Sequence, residues 1–80
     1  MIIPEGTKII EARQFKDNKR VKCVIIPDGV IEIGEFSFYN CTSLQSIEIP
    51  DSVTKIGILA FGHCTSLEFI KIKILSNNRL

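Results

Sequence analysis

Eighty residues, of which 45% are hydrophobic and 24% charged, have the composition of one small globular domain rather than of a disordered segment. Ten basic and nine acidic residues give a net charge of +1, which does not favour nucleic acid or an anionic membrane surface as a partner. No apolar run approaches the roughly 20 residues that span a bilayer, so we expect no membrane insertion.

The sequence repeats with a period of 23 residues. An Ile-Pro pair recurs at residues 3, 26 and 49, and twelve of the 23 positions are identical between 26–48 and 49–71. Residues 3–25 are a diverged first copy. We therefore predict one domain over residues 1–80, with repeats at about 3–25, 26–48 and 49–71 and a partial repeat at 72–80.

The predicted elements of residues 26–48 follow in a fixed order. Pro27 ends a strand because proline lacks the amide hydrogen that a sheet requires, and the Asp-Gly pair behind it favours a turn. Residues 30–33 form a short extended segment that ends at Gly34, where we expect a positive φ. Residues 35–40 are too few for a full helix, so we predict one helical or 3₁₀ turn.

The last predicted element of each unit is a strand, here over residues 44–49. Ile47 and Ile49 alternate with polar residues, as in a half-buried strand. A unit of this size cannot bury its apolar face alone, so we expect the units to stack with their strands paired in parallel. The predicted core consists of the columns Val30/Val53, Ile33/Ile56, Phe15/Phe38/Phe61, Val21/Leu44/Leu67, Val24/Ile47/Ile70 and Ile3/Ile26/Ile49/Ile72.

Two segments carry a resemblance to a known family. Residues 41–57 read CTSLQSIEIPDSVTKIG, and Ala60-Phe61 and a second Cys-Thr-Ser-Leu follow at residues 64–67. This pattern resembles the BspA-like leucine-rich repeat. The resemblance implies an α/β-type repeat solenoid dominated by β structure, namely a right-handed leucine-rich-repeat solenoid with a short parallel strand ladder, turns and single helical or 3₁₀ turns. It also implies protein binding, as in surface adhesins, rather than catalysis.

Cys41, Cys64 and His63 are the residues that a metal site or a catalytic site would need. Stacked cysteines would lie roughly 5 Å apart, close enough for a disulfide or half of a zinc site. The resemblance implies instead that stacked cysteines of this column are buried and face the turn backbone, and Asn18 in the same column supports this interpretation. His63 would bring a zinc site to only three ligands, and no third group orients it as a base. We predict reduced cysteines, no enzyme activity, no catalytic residue, no metal and no cofactor.

The outward side of the strand ladder is the first candidate protein-binding surface. Its columns are Cys23/Ser46/Phe69 and Ile25/Glu48/Lys71. Phe69 and Ile25 are apolar where a solvated strand would carry polar side chains, and neighbouring exposed apolar residues often mark an interface. A second apolar patch is predicted at Phe36, Tyr39, Ile58 and Leu59. The candidate protein-binding residues are Ile25, Ser46, Glu48, Phe69, Lys71, Phe36 and Leu59.

Two functional hypotheses follow. In the first, the chain is a non-catalytic protein–protein interaction module that self-associates through uncapped ends or exposed apolar faces. The ends of a repeat array expose unpaired backbone groups and the apolar side chains of the core. In the second, it is a fragment of a surface adhesin that binds a host or cell-surface protein through a concave strand ladder. Residues 1–5 do not read as a secretory signal, so we expect a cytoplasmic location by default, with the cell surface as the alternative.

Overall fold

The computed structural model describes residues 1–73, which form six short strands. The strands are β1 (Ile9–Ile10), β2 (Cys23–Ile25), β3 (Glu32–Ile33), β4 (Ser46–Pro50), β5 (Lys55–Ile56) and β6 (Phe69–Lys73). Of the partial repeat predicted at 72–80, residues 74–80 lie outside the described residues.

The strands form two parallel three-stranded sheets, β1-β3-β5 and β2-β4-β6. Each strand pairs with the equivalent strand of the next repeat, so that Ile10 lies beside Ile33 and Val24 beside Ile47. The pairing offset is the 23-residue period of the sequence. Each repeat therefore adds one strand to each sheet, and the predicted β-dominated repeat fold with parallel ladders is confirmed.

The core is a stack of equivalent apolar side chains. Val30, Ile33 and Leu44 of the second repeat are completely buried. The rings of Phe15 and Phe38 stack with centroids 5.2 Å apart, and those of Phe38 and Phe61 stack 5.6 Å apart. Phe38 is thus enclosed on both faces by rings from the neighbouring repeats.

Three residues predicted to be buried in the core are exposed. Ile56, Ile70 and Ile72 expose 50%, 51% and 59% of their surface. Their equivalents 23 residues earlier, Ile33, Ile47 and Ile49, are at most 5% exposed. Cover comes mainly from the repeat that follows, because Ile10 and Val24 of the first repeat have a neighbour on that side only and are 0% and 2% exposed. In the described residues no complete repeat follows the third. The core prediction is therefore wrong at these three positions.

The predicted helical or 3₁₀ turn is also wrong, since residues 1–73 contain no helix. Residues 35–40 form a run of turns in which Phe36 and Asn40 have φ values of 56° and 61°. The amides of Phe36, Phe38 and Asn40 donate to backbone carbonyls of the third repeat at 3.0, 2.8 and 2.7 Å. The amides of Ser37 and Tyr39 bond locally, to the carbonyls of Gly34 and Phe36 at 3.2 Å each. Because every second amide bonds to the next repeat instead, no continuous helical series of hydrogen bonds forms.

Gly34 does not have the predicted positive φ, which the structure places instead at Gly6 and Gly29. A β-carbon at Gly34 would lie 2.6 Å from the amide nitrogen of Ala12 and 2.8 Å from the carbonyl oxygen of Ile10. Both atoms belong to the backbone of the preceding repeat. Glycine is therefore required here because two backbones approach closely, rather than because of its dihedral freedom.

Candidate protein-interaction surfaces

The ladder face is formed by the outward side chains of β2, β4 and β6. Parallel pairing places Ser46 beside Phe69, and Glu48 between Ile25 and Lys71. Ile25 and Phe69 are 65% and 66% exposed. The structure therefore brings together all five residues that the sequence proposed for this surface.

The ladder face encloses an open depression of about 770 Å³. Partly buried Ser46 and Glu48 lie on the central strand, between exposed Phe69 on β6 and exposed Ile25 on β2. An apolar side chain of a partner could lie between the two exposed apolar groups, and the Glu48 carboxylate could accept a hydrogen bond from a neighbouring N–H or O–H group of the partner. The depression has the chemistry of a contact surface for another molecule.

The turn face is formed by the turns of the three repeats and contains the second predicted apolar patch. Phe36 and Tyr39 were expected to be exposed but are only partly so. Their rings pack with centroids 5.0 Å apart, and the Arg13 guanidinium lies 5.3 Å from the Phe36 ring. Lys16 lies 5.8 Å from the Tyr39 ring, and the His63 ring lies 5.2 Å from it on the third repeat. These contacts cover much of the aromatic surface that the sequence suggested for binding.

Leu59 and Ile58 are the apolar residues of this patch that remain largely exposed, at 52% and 70%. Leu59 has a φ of 53°, and Phe36 and Arg13 occupy the same column with φ values of 56° and 60°. A bulky side chain in the left-handed region is unfavourable, so the repeat geometry imposes this conformation on whichever residue stands there. Phe36 and Leu59 belong to the turn face, and the structure does not join them to the five ladder residues.

The three cysteines are free thiols. The thiol of buried Cys41 donates to the carbonyl of Phe15 at 3.3 Å, and that of Cys64 donates to the carbonyl of Phe38 at 3.2 Å. In the first repeat, Asn18 Oδ1 instead accepts the turn amides of Arg20 and Val21 at 3.1 and 3.2 Å. Burial raises the pKa of the Cys41 and Cys64 thiols, which keeps them protonated as donors. The column has the backbone-facing role that the sequence favoured.

His63 and Cys64 point to different partners. The His63 ring packs beside Tyr39, whereas the Cys64 thiol hydrogen is directed at a backbone carbonyl. Within residues 1–73, no group of three or more potential ligands is placed to hold a metal ion. The same residues contain no helix long and apolar enough to cross a membrane.

The sequence hypothesis named uncapped ends as association surfaces without naming their residues, and one of them is a third surface, which we call the end face. It is the side of the third repeat that no complete repeat covers within residues 1–73, and it comprises partly or largely exposed core-column residues of this repeat, with Ile72 directly after it: Val53, Ile56, Phe61, Leu67, Ile70 and Ile72. These residues are chemically the same as their buried equivalents, so residue type could not reveal them. The signal that identifies them is the position of the repeat in the stack.

Comparison with known proteins places the chain in a family. A family model described as BspA type leucine rich repeat region (6 copies) matches residues 1–78. Neither the curated proteins nor the solved structures gave a match. Repeat proteins of this kind are often involved in protein interactions and are typically non-catalytic. Because the match covers nearly all of a chain that stacks in 23-residue units, the chain belongs to the BspA-type leucine-rich-repeat family.

Proposed function

We propose that this chain is a non-catalytic protein-interaction module that associates with further copies of itself through exposed apolar surface. The observation that carries the proposal is the exposure of eleven large hydrophobic side chains among residues 1–73. Isolated apolar residues are normal on a protein surface. Here, however, several belong to one face, as Ile56, Ile70 and Ile72 do, and contiguous apolar patches mark interaction sites.

Low net charge supports association between identical chains. A net charge of +1 produces little long-range repulsion between two copies. Most soluble oligomers are homo-oligomers, and two-fold dimers are by far the commonest. A second copy of the chain is therefore the simplest partner for an apolar face of this kind.

Size-exclusion chromatography with light scattering, across a concentration series in reducing buffer, tests the proposal. We expect a species of twice the 9.0 kDa monomer mass that becomes more populated as concentration rises. The reductant prevents exposed Cys23 from producing disulfide-linked dimers that would imitate association. A monomer at every concentration would contradict the proposal.

The depression on the ladder face favours a second candidate function, namely adhesion to another protein. In this case a fluorescently labelled chain should bind cultured cells, and replacement of Ser46, Glu48, Phe69 and Lys71 together should abolish the signal in flow cytometry. Leu59→Ser on the turn face is the control and should leave binding unchanged. Equal binding by the quadruple variant and the wild type would exclude the ladder face as the adhesive surface.

A further inference from the structure

We propose that self-association joins the end faces of two copies around a two-fold axis, so that the third repeat of one copy covers the third repeat of the other. This inference rests on the proposed function and specifies its interface. The resulting dimer is closed, because each copy uses the same surface. The first repeats of the two copies then lie at the far ends of the assembly.

The first observation is the loss of burial along equivalent columns. Ile33 is completely buried, whereas Ile56 is 50% exposed. Ile47 is 1% exposed, whereas Ile70 is 51% exposed. The following repeat therefore covers about half of the surface of Ile33 and of Ile47, which would otherwise be exposed. Within residues 1–73 no further layer covers these side chains, and one more layer of the same apolar core would complement them.

The apolar area of the end face reaches the roughly 1,000 Å² in total that a specific interface needs and is smaller than that of a standard interface. Three half-exposed isoleucines, the partly exposed residues of the end face and neighbouring Leu59 leave on the order of 500–600 Å² of apolar surface per copy, against about 800 Å² per partner in a standard interface. Obligate homodimer interfaces resemble a domain core that has been cut in half. The end face has this composition, since its columns are core in the other repeats.

At the opposite end of the stack the core columns are closed, although Met1, Ile2 and Ile9 are 45%, 91% and 39% exposed there. The core residues Ile3, Ile10 and Val24 of the first repeat are 6%, 0% and 2% exposed. Residues 3–25 carry six basic and three acidic side chains, whereas residues 26–48 carry four acidic and no basic ones. Excess positive charge on the first repeat repels the same repeat of another copy, and charged side chains are a common protection for the edge of a sheet.

A head-to-tail join is also unfavourable. Residues 49–73 carry three basic and two acidic side chains, so they do not complement the basic first repeat. Joining unlike ends would also let the array grow into a filament unless a ring closed. Within residues 1–73, β6 pairs with β4 on one edge and with no strand on the other. A two-fold axis would bring this edge beside β6 of the second copy in antiparallel orientation.

Three matched isoleucine-to-lysine variants of the full chain test the interface by analytical ultracentrifugation in reducing buffer. Ile72→Lys changes the end face, Ile25→Lys the ladder face and Ile2→Lys the N-terminal end, at positions 59%, 65% and 91% exposed. Ile72→Lys should weaken dimerisation at least about 100-fold, because the two-fold places the change in the interface twice. The other two variants should dimerise within about twofold of the wild type.

The outcomes separate the inference from the proposed function. If Ile72→Lys dimerises normally while another variant does not, this interface is wrong and self-association stands. If the wild type forms species that keep growing with concentration, the two-fold arrangement is wrong. If the wild type is monomeric, both proposals fail.

A cross-linking measurement covers the case in which Ile72→Lys does not fold. Ile72→Cys in a Cys23→Ser background should form a covalent dimer when oxidised glutathione accepts the electrons from the two thiols. Ile2→Cys in the same background should stay monomeric on a non-reducing gel. Cross-linking through residue 2 but not residue 72 would overturn the inference.

Discussion

Replacing Phe38 with leucine measures how much the stack of rings contributes to stability. Phe38 is completely buried and its ring stacks on both Phe15 and Phe61. A stacked aromatic pair contributes about 0.5–1.5 kcal/mol beyond its buried area, so Phe38→Leu should lower the unfolding free energy by about 1–3 kcal/mol. Phe61 has one such neighbour among the described residues, so Phe61→Leu should cost about half as much.

Urea denaturation followed by circular dichroism gives both values, because a chain of this length has an unfolding free energy of about 4–12 kcal/mol and the variants stay folded. The measurement is made at a concentration at which the chain is monomeric, since Phe61 belongs to the end face. Leucine keeps most of the buried volume, so the comparison isolates ring stacking. Equal losses at positions 38 and 61 would refute the claim that contacts from both neighbouring repeats set the stability of a column.

Three further substitutions test individual contacts. Ser37 Oγ is buried without a hydrogen-bond partner in the described structure. Ser37→Ala should therefore leave the unfolding free energy, measured by urea denaturation, unchanged or raise it by about 1 kcal/mol. A clear decrease in this free energy would show that the hydroxyl makes a hydrogen bond. Gly34→Ala should lower the unfolding free energy by about 1–3 kcal/mol. Gly6→Ala has open space around its Cβ but a φ of 92°, and should lower it by about 1 kcal/mol. Equal thermal midpoints of the two variants would contradict the close approach of two backbones at Gly34. Burial raises the pKa of the Cys41 thiol, so stability should be complete below the unfolded value of about 8.5 and fall as pH rises toward the folded value. Cys41→Ala should have a shallower slope of unfolding free energy against pH over this window, and identical slopes would exclude the thiol as the cause.

The period, the parallel register and most of the core could be predicted because stacking leaves a direct trace in sequence. Residues that lie above one another share one environment, so Ile33 and Ile56 are the same residue type. Alternation along β4 likewise separated buried Ile47 from Ser46 on the ladder face. In each case one physical requirement acts on one position, and the residue type records it.

The errors arose where one residue type satisfies two different requirements. A glycine follows either from a positive φ or from close approach of two backbones, and Gly34 has the second cause. A short polar-aromatic segment forms a helical turn only if consecutive amides bond locally, and here the amide of Phe38, between those of Ser37 and Tyr39, bonds to the next repeat. Ring exposure at Phe36 depended on Arg13, a residue of another repeat whose contact no local pattern encodes.

Stability and association depend on the same columns in this fold. A core column is closed mainly by the repeat that follows it, because Val24, which has such a neighbour, is 2% exposed, whereas Ile70, which has none among the described residues, is 51% exposed. A second copy placed on the end face would supply this cover from outside the chain and, by binding only the folded state, would stabilise the fold by mass action. A partner on the ladder face would contact Phe69 and Ile25, which take no part in closing a column. With an interface at the end of the stack, the stability of the fold would therefore depend on protein concentration, because the second copy covers core residues. A partner on the ladder face would add only its own binding energy.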